Sequence, residues 1–150
     1  MQVSTTVVTT ADRDALYAWW TDYEEHDHRG RAFLRYGDVR RRVVWHEPGK
    51  GIEYVDEGKV IGIPMTFRTV ASLTPSERVH ARTESSRGTL ETDYWFEALP
   101  GGGTRLTARA TYHESPRARL VAPLTSTALQ GALAYDTRSH VAEFEETLGL

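Results

Sequence analysis

The sequence contains no cysteine among its 150 residues. Disulfides, thiolate metal sites and a cysteine nucleophile are therefore excluded. The chain also lacks an apolar run near the ~20 residues that a membrane-spanning helix needs, so we expect no integral membrane segment. Its first ten residues alternate in polarity without a basic start and an apolar block, which argues against a signal peptide. These absences predict a cytoplasmic protein.

A strong excess of one charge is missing as well. The net charge is −3, from 18 basic and 21 acidic residues. The one dense basic cluster is Arg40, Arg41 and Arg42, and on a strand the middle residue faces away from the other two. We interpret it as a solvated edge, favoured over a phosphate site. Because nucleic-acid binders usually carry a broad basic face, no nucleic-acid partner is expected.

What is present fits one ordinary globular unit. Hydrophobic residues make up 39% of the chain and charged residues 26%, and no linker or repeat divides it. A chain of this length can bury one core. We therefore predict a single domain over residues 1–150.

The N-terminal part of the chain predicts a strand followed by helical segments. Residues 2–10 alternate in polarity, and Thr10 is a candidate N-cap for a helix whose apolar face carries Leu16, Trp19 or Trp20, and Tyr23. The polar stretch 24–30 is predicted to end a short second helix or to begin a loop.

Six further strands are predicted between residues 39 and 112, because apolar residues alternate between strong turn signals. One strand is expected to break at Gly58, and the next to run from Val60 to Leu73. The predicted inward-facing positions fall in the ranges Val39–Trp45, Ile52–Asp56, Ile63–Leu73, Val79–Thr83, Leu90–Phe96 and Leu106–Tyr112.

The C-terminal part of the chain predicts one long helix. Ser115 before Pro116 is a typical helix start, and Pro123 interrupts that first piece. An apolar stripe that includes Leu129, Leu133 and Phe144 then continues for about 25 residues at the 3.6-residue period.

This order predicts an α+β fold, β-α-α-β6-α, in which a seven-stranded curved antiparallel sheet wraps around the C-terminal helix. On the presumed inner face, small residues alternate with large aromatic ones. Small and hydroxyl-bearing side chains facing inward favour an internal apolar cavity over a fully packed core with satisfied threonines, the alternative interpretation.

The order of elements resembles the START/polyketide-cyclase-like superfamily, also called SRPBCC, helix-grip or birch-pollen-allergen-like. The segment ADRDALYAWWTDYEEH resembles the first helix of that superfamily, and YWFEALPGGGTRLTARATYHE resembles its late hairpin. The resemblance implies a hydrophobic pocket between the sheet and the C-terminal helix, and no shared catalytic motif.

The resemblance implies binding, carriage or sensing of a small hydrophobic or amphipathic ligand, such as a lipid or polyketide. The first alternative is a polyketide cyclase or dehydratase, and the second is a protein-interaction module of the same superfamily. We expect no cofactor, and either a monomer or a homodimer.

Several side chains are candidates for contact with a ligand in the predicted cavity. Hydroxyls of tyrosine and threonine would orient a ligand or donate to an enolate, although buried tyrosines commonly bond a backbone carbonyl instead. The candidate ligand-binding residues are Arg41, Tyr54, Phe67, Thr83, Thr92, Tyr94, Phe96, Tyr112, Leu129, Leu133 and His140.

The weaker candidates for catalysis are Tyr112, His140 and Asp136. Asp136 and His140 lie four residues apart on the long helix, so the carboxylate would orient the imidazole as an acid or base. A rim pair half in water is the favoured alternative, because aspartate is seldom fully buried.

Two further groups have a structural interpretation. Arg41 would meet a ligand anion, but an ion pair with Asp56 or Glu53 is favoured, and Arg68 is expected to face outward. The tract Glu24–His28 is rich in histidine and acid, yet its spacing matches no metal motif. We interpret it as a solvated loop and predict no metal site.

Overall fold

The computed structural model describes residues 1–23, 40–60, 62–121 and 124–150, without the side chains of Val60 and Val121. The predicted second helix or loop over residues 24–30 lies outside these ranges, as does Pro123. Along the described chain, seven strands and three helices follow in the order β1 (Gln2–Thr9), α1 (Arg13–Trp20), β2 (Arg40–Glu47), β3 (Gly51–Val60), β4 (Ile63–Thr74), β5 (Arg78–Ser85), β6 (Gly88–Ala98), β7 (Thr104–Glu114), α2 (Pro116–Val121) and α3 (Ser126–Leu148).

All seven strands form one curved antiparallel sheet with the order β1-β7-β6-β5-β4-β3-β2. Strands β2 to β7 form a meander of hairpins, and β1 joins its far side by pairing with β7. Directly paired residues share a face, so Tyr54 faces the same side as Thr69 and Thr83. We call this side the inner face. The alternation of apolar residues along the sequence predicts these same positions to face inward.

The helix cap is not the one predicted. Asp12, rather than Thr10, is the N-cap of α1, and its carboxylate accepts hydrogen bonds from the backbone N–H groups of Asp14 and Ala15, both at 2.9 Å. Thr10 is exposed and precedes the cap by two residues. Both residue types cap helices well, so the pattern alone did not separate them.

Strands β2 and β3 also differ from the prediction. A bulge between Val43 and Trp45 shifts the parity, so Trp45 pairs with Glu53 on the outer face and His46 pairs with buried Ile52. Trp45 therefore does not share a face with Arg41. Gly58 does not break β3, which continues to Val60 before the turn into β4.

Helix α3 is the long predicted C-terminal helix. Thr125 caps its start, and Gly149 ends it in the left-handed conformation with φ of 70°. Its buried stripe is Leu129, Leu133, Thr137, Val141 and Phe144. None of the described helices is long and apolar enough to cross a membrane.

Helix α3 follows β1 rather than the middle of the sheet. The Gln130 amide donates to the Ser4 carbonyl at 2.7 Å, and the Thr9 hydroxyl donates to the Glu145 carboxylate at 2.6 Å. These two contacts hold the two ends of the helix along one strand. Helix α3 therefore leaves the inner face of β3 to β5 uncovered, except at the end where Ile52, Ala71 and Val79 share a buried core with α1.

We expect Asp12→Ala to lower the free energy of unfolding by about 1 kcal/mol, because α1 would lose its N-cap. Thr10→Ala is the matched control and should change stability by less than about half of that amount. Urea unfolding followed by circular dichroism measures both. Equal losses in the two variants would contradict the assignment of the cap.

Candidate ligand-binding cavity

A cavity of about 470 Å³ lies between the inner face of the sheet and helices α1 and α3. Every one of β2 to β7 contributes to its wall, together with the end of α1 and one face of α3. Its lining residues are Trp20, Tyr23, Arg41, Tyr54, Asp56, Met65, Phe67, Thr69, Val79, Ala81, Thr83, Ser85, Arg87, Gly88, Leu90, Thr92, Tyr94, Ala110, Tyr112, Leu124, Leu129, Leu133, Asp136 and His140.

The cavity exists because small side chains occupy the curved inner face opposite the helix. Cross-strand neighbours Ala81, Thr92 and Ala110 follow one another across β5, β6 and β7. None of them reaches far from its strand, and α3 is held to one side along β1. Leu129 and Leu133 project from α3 and are buried, so the helix closes this space without filling it.

An ion pair forms one end of the cavity. The Nε and Nη2 atoms of Arg41 donate to the two carboxylate oxygens of Asp56 at 2.8 and 2.7 Å. The guanidinium also lies over the ring of Tyr54, 4.0 Å from its centroid. The sequence favoured an ion pair of Arg41 with Asp56 or Glu53, and the structure shows the pair with Asp56. Both residues line the cavity.

Tyrosine hydroxyls provide neutral donors around this ion pair. Burial raises the pKa of Tyr54, an effect that nearby Arg41 only partly offsets. Burial, together with Asp136, raises the pKa of Tyr94 well above its ordinary value. Both hydroxyls therefore stay protonated at neutral pH. Next to them, the hydroxyls of Thr69 and Thr83 are hydrogen-bonded at 2.9 Å.

Asp136 and His140 face the same cavity from α3. The Nδ1 atom of His140 lies 2.8 Å from the backbone carbonyl of Asp136 and 3.5 Å from its carboxylate. The imidazole ring packs against Trp19 and Trp20, with centroid distances of 6.5 and 5.1 Å. The His140 side chain is only 11% exposed and that of Asp136 only 18%, so the two do not form the half-solvated rim pair that the sequence favoured.

Burial raises the pKa of Asp136, and His140 offsets part of that rise. The contact between Nδ1 and a carbonyl also determines the tautomer of neutral His140. A carbonyl only accepts hydrogen bonds, so Nδ1 carries the proton and Nε2 is the basic nitrogen.

Tyr112 has a different role from its neighbours. Its hydroxyl donates to the backbone carbonyl of Arg87 at 2.9 Å, and the backbone N–H of Ser115 donates to the same carbonyl at 2.8 Å. These bonds tie the β5–β6 turn to the end of β7. The Tyr112 ring lines the cavity, while its hydroxyl supports the turn.

Solved structures share this architecture. The Zhui aromatase/cyclase from Streptomyces sp. R1128 is 18% identical, with 99% of this chain and 92% of that chain covered and a TM-score of 0.65. Ara h 8.0201 is 12% identical, with 100% and 99% covered and a TM-score of 0.71. A START superfamily protein from Mycobacterium smegmatis is 15% identical, with 97% and 94% covered and a TM-score of 0.59.

The chain has the helix-grip fold that these structures share. The likeness is one of fold, since these identities are 18% or lower. No protein-family model matches the sequence, and no curated protein matches it either.

The helix-grip cavity brings together most of the predicted site residues. Ten of the eleven predicted ligand-binding residues line it, as does Asp136; whether they bind a ligand stays a prediction. Phe96 does not line it. Its ring packs against Tyr17 and Trp20, with centroid distances of 5.3 and 5.9 Å, because this part of β6 lies beneath α1.

Sequence reasoning missed several lining residues of the helix-grip cavity. Trp20 and Tyr23 were interpreted as the apolar face of a helix, and a helical stripe does not show that its last turn borders a cavity. Arg87 and Leu124 lie in connections, where no periodic signal exists. Thr69 and Ala81 were predicted to face inward but were not among the candidate ligand-binding residues, although they stand opposite Thr83 and Ala71.

The predicted loop Glu24–His28 lies outside the described residues, so its interpretation stays a prediction. Among the described residues of this helix-grip chain, no group of three or more His, Cys, Asp or Glu side chains is placed to hold a metal ion.

The raised pKa of Asp136 makes a signed prediction about stability. Folding takes up a proton between the ordinary aspartate pKa and the higher folded-state value, so the free energy of unfolding falls as pH rises through that window. Asp136→Asn removes this loss. The stability of the variant relative to the wild type should therefore be higher at pH 7 than at pH 4, as measured by urea unfolding.

Asp93 on the outer face is a control with the opposite sign. Burial raises its pKa, but hydrogen bonds from Arg78 and His80 outweigh that effect and hold the pKa below its ordinary value. The stabilisation from Asp93 is present above the ordinary aspartate pKa and is lost as pH falls. Asp93→Asn should therefore be most destabilising at pH 7. The same pH trend in both variants would contradict the account.

Proposed function

We propose that this protein binds, carries or senses a small, mainly apolar molecule that bears oxygen groups, in the cavity between the sheet and α3. The observation that carries the proposal is the cavity of about 470 Å³, in which apolar walls surround a few buried polar groups. Sites for small molecules have this size and composition.

The apolar part of the wall would hold the body of the ligand. Leu129 and Leu133 from α3 line the cavity together with Phe67 and Val79 from the sheet. Each apolar side chain that loses contact with water on binding contributes favourable free energy at about 25 cal/mol per Å² of buried surface. This contribution needs no directional bond, so the apolar walls discriminate between ligands by their shape.

The polar part of the wall would fix the orientation of the ligand. Arg41 and Tyr54 lie on the sheet side, while Asp136 and His140 lie on α3. A ligand of cavity size would reach both groups. The likeness to an aromatase/cyclase and to a START superfamily protein supports a ligand of this kind.

The probe N-phenyl-1-naphthylamine tests this proposal, because it is uncharged and its fluorescence rises in apolar surroundings. We expect saturable binding by the wild type. Ala81→Phe should weaken binding about tenfold or more, since the added ring occupies the volume that the probe needs. Titration of the fluorescence measures the dissociation constant.

Ala98→Phe is the matched control for this titration. Ala98 lies at the exposed end of the same hairpin, outside the cavity, so the variant should bind the probe as the wild type does. Both variants should unfold cooperatively. A wild type that does not bind, or an Ala81→Phe variant that binds normally, would refute binding in this cavity.

The tautomer of His140 favours a second candidate function, cyclisation with loss of water. The Nε2 atom would take a proton from a carbon between two carbonyls, which gives an enolate. The enolate carbon attacks a further carbonyl, and the alkoxide that forms takes the proton back from the imidazole. The imidazole then takes the second hydrogen from the same carbon and gives it to the departing hydroxyl, which leaves as water. The hydroxyl of Tyr94 would donate a hydrogen bond to the developing oxyanion.

Turnover of a poly-β-ketone thioester tests this second candidate. His140→Gln should lower kcat about 100-fold or more, because the general base is removed. Binding of N-phenyl-1-naphthylamine should be retained. His80→Gln is the control, since His80 bonds Asp93 away from the cavity lining. Wild-type turnover in His140→Gln would exclude the role of this imidazole.

A further inference from the structure

Two arginine–carboxylate pairs join neighbouring strands on opposite faces of the same part of the sheet. On the inner face, Arg41 and Asp56 form a two-bond pair in which the side chains are 12% and 8% exposed. On the outer face, Arg68 pairs with Glu53 at 2.7 Å, and the arginine side chain is 58% exposed. The outer pair therefore serves as an internal reference for the inner one.

The inner pair carries no net charge. The carboxylate of Asp56 takes two hydrogen bonds from Arg41, so the cation is neutralised where it meets the cavity. Among the residues that the structure describes, the other charged or titratable groups along the wall, apart from the tyrosines, are Asp136 and His140 on α3 and Arg87 at the β5–β6 turn. The 42% exposed Arg87 side chain lies within 4.0 Å of Glu114.

These groups leave an anion without a favourable position between the Arg41–Asp56 pair and α3. A ligand carboxylate would lose its water there and meet a neutralised guanidinium on one side and Asp136 on the other. The exposed Arg87 is screened by solvent. Desolvation of a ligand carboxylate is therefore not offset by attraction to an unpaired positive charge.

The same groups suit an uncharged oxygen. The Nη1 atom of Arg41 has no acceptor among the described residues, and the ring of Tyr54 covers the face of the guanidinium. The hydroxyl of Tyr94 stays protonated and borders the same space. Both groups donate hydrogen bonds, and a ketone or phenol oxygen accepts them at a lower desolvation cost than a carboxylate.

We infer that the cavity selects ligands whose buried end carries an uncharged oxygen, a ketone or a phenol, over carboxylates. Asp56 sets this preference, because it neutralises Arg41 on the inner face of the sheet. This inference rests on the proposed function and adds to it the chemical class of the ligand.

Three probes of one shape test the inference: naphthalene, 2-naphthol and 2-naphthoate. At pH 7 the naphthol is uncharged and the naphthoate is ionised. Calorimetric titration of the wild type should show naphthol binding about tenfold or more tighter than either of the others, because only naphthol offers an uncharged acceptor.

Asp56→Asn should change the preference. The guanidinium of Arg41 keeps its charge and loses its counterion, so naphthoate should bind about tenfold or more tighter than it does to the wild type. Affinity for naphthol should change by less than about threefold. Glu53→Gln makes the same change in the outer pair and should leave all three affinities as they are.

A second variant covers the case in which an unpaired buried arginine prevents folding. Arg41→Met combined with Asp56→Leu replaces the whole pair by apolar side chains, a change that buried ion pairs tolerate. Naphthol should then bind no better than naphthalene. Arg68→Met combined with Glu53→Leu is the matched control on the outer face and should keep the preference for naphthol.

The outcomes separate this inference from the proposed function. If the wild-type protein binds naphthoate or naphthalene as tightly as naphthol, the inference is overturned. Binding of these probes would still support the proposed function. A naphthol preference that survives loss of the inner pair overturns the role of Arg41 and Asp56. Failure of all three probes to bind would contradict the proposed function and remove the basis of the inference.

Discussion

The position of α3 along β1 is the constraint on which the cavity depends. Bonds from Gln130 to Ser4 and from Thr9 to Glu145 hold the helix at one side of the sheet. Strands β3 to β5 curve away from it, and their inner face carries small residues such as Ala81 and Thr83. A helix centred on the sheet would pack against those residues and fill the space. The cavity therefore results from two features together: the position of α3 at one side of the sheet and the small side chains on the inner face.

The polar groups in the cavity contribute little to stability. Removing charges from water costs free energy, and the attraction between the charges offsets only part of that cost. Burial also disfavours the ionised form of Asp136. Apolar residues of similar size would stabilise the fold at least as well as Arg41 and Asp56 do. Their placement on the cavity wall fits a role in recognition, with the fold stabilised by the core around Leu16, Ile52 and Leu106.

Much of this architecture is predictable from the sequence, because alternation reports which side of a strand is buried. The inward parity of Phe67, Thr69 and Ala71 and the stop of α3 at Gly149 follow from local patterns. The bulge after Val43 does not, since an extra residue in a strand depends on its partner strand. The separation of Phe96 from the cavity depends on where α1 lies over β6, which is a tertiary contact.

Methyl NMR of the complex with N-phenyl-1-naphthylamine locates the bound probe and so tests whether the space between the sheet and α3 takes up a ligand. We expect intermolecular NOEs from the probe to the methyl groups of Ala81, Ala110, Leu129 and Leu133, which line the cavity. NOEs confined to outer-face methyls such as those of Val70, with none to α3, would contradict a cavity that opens to ligands between the sheet and the helix.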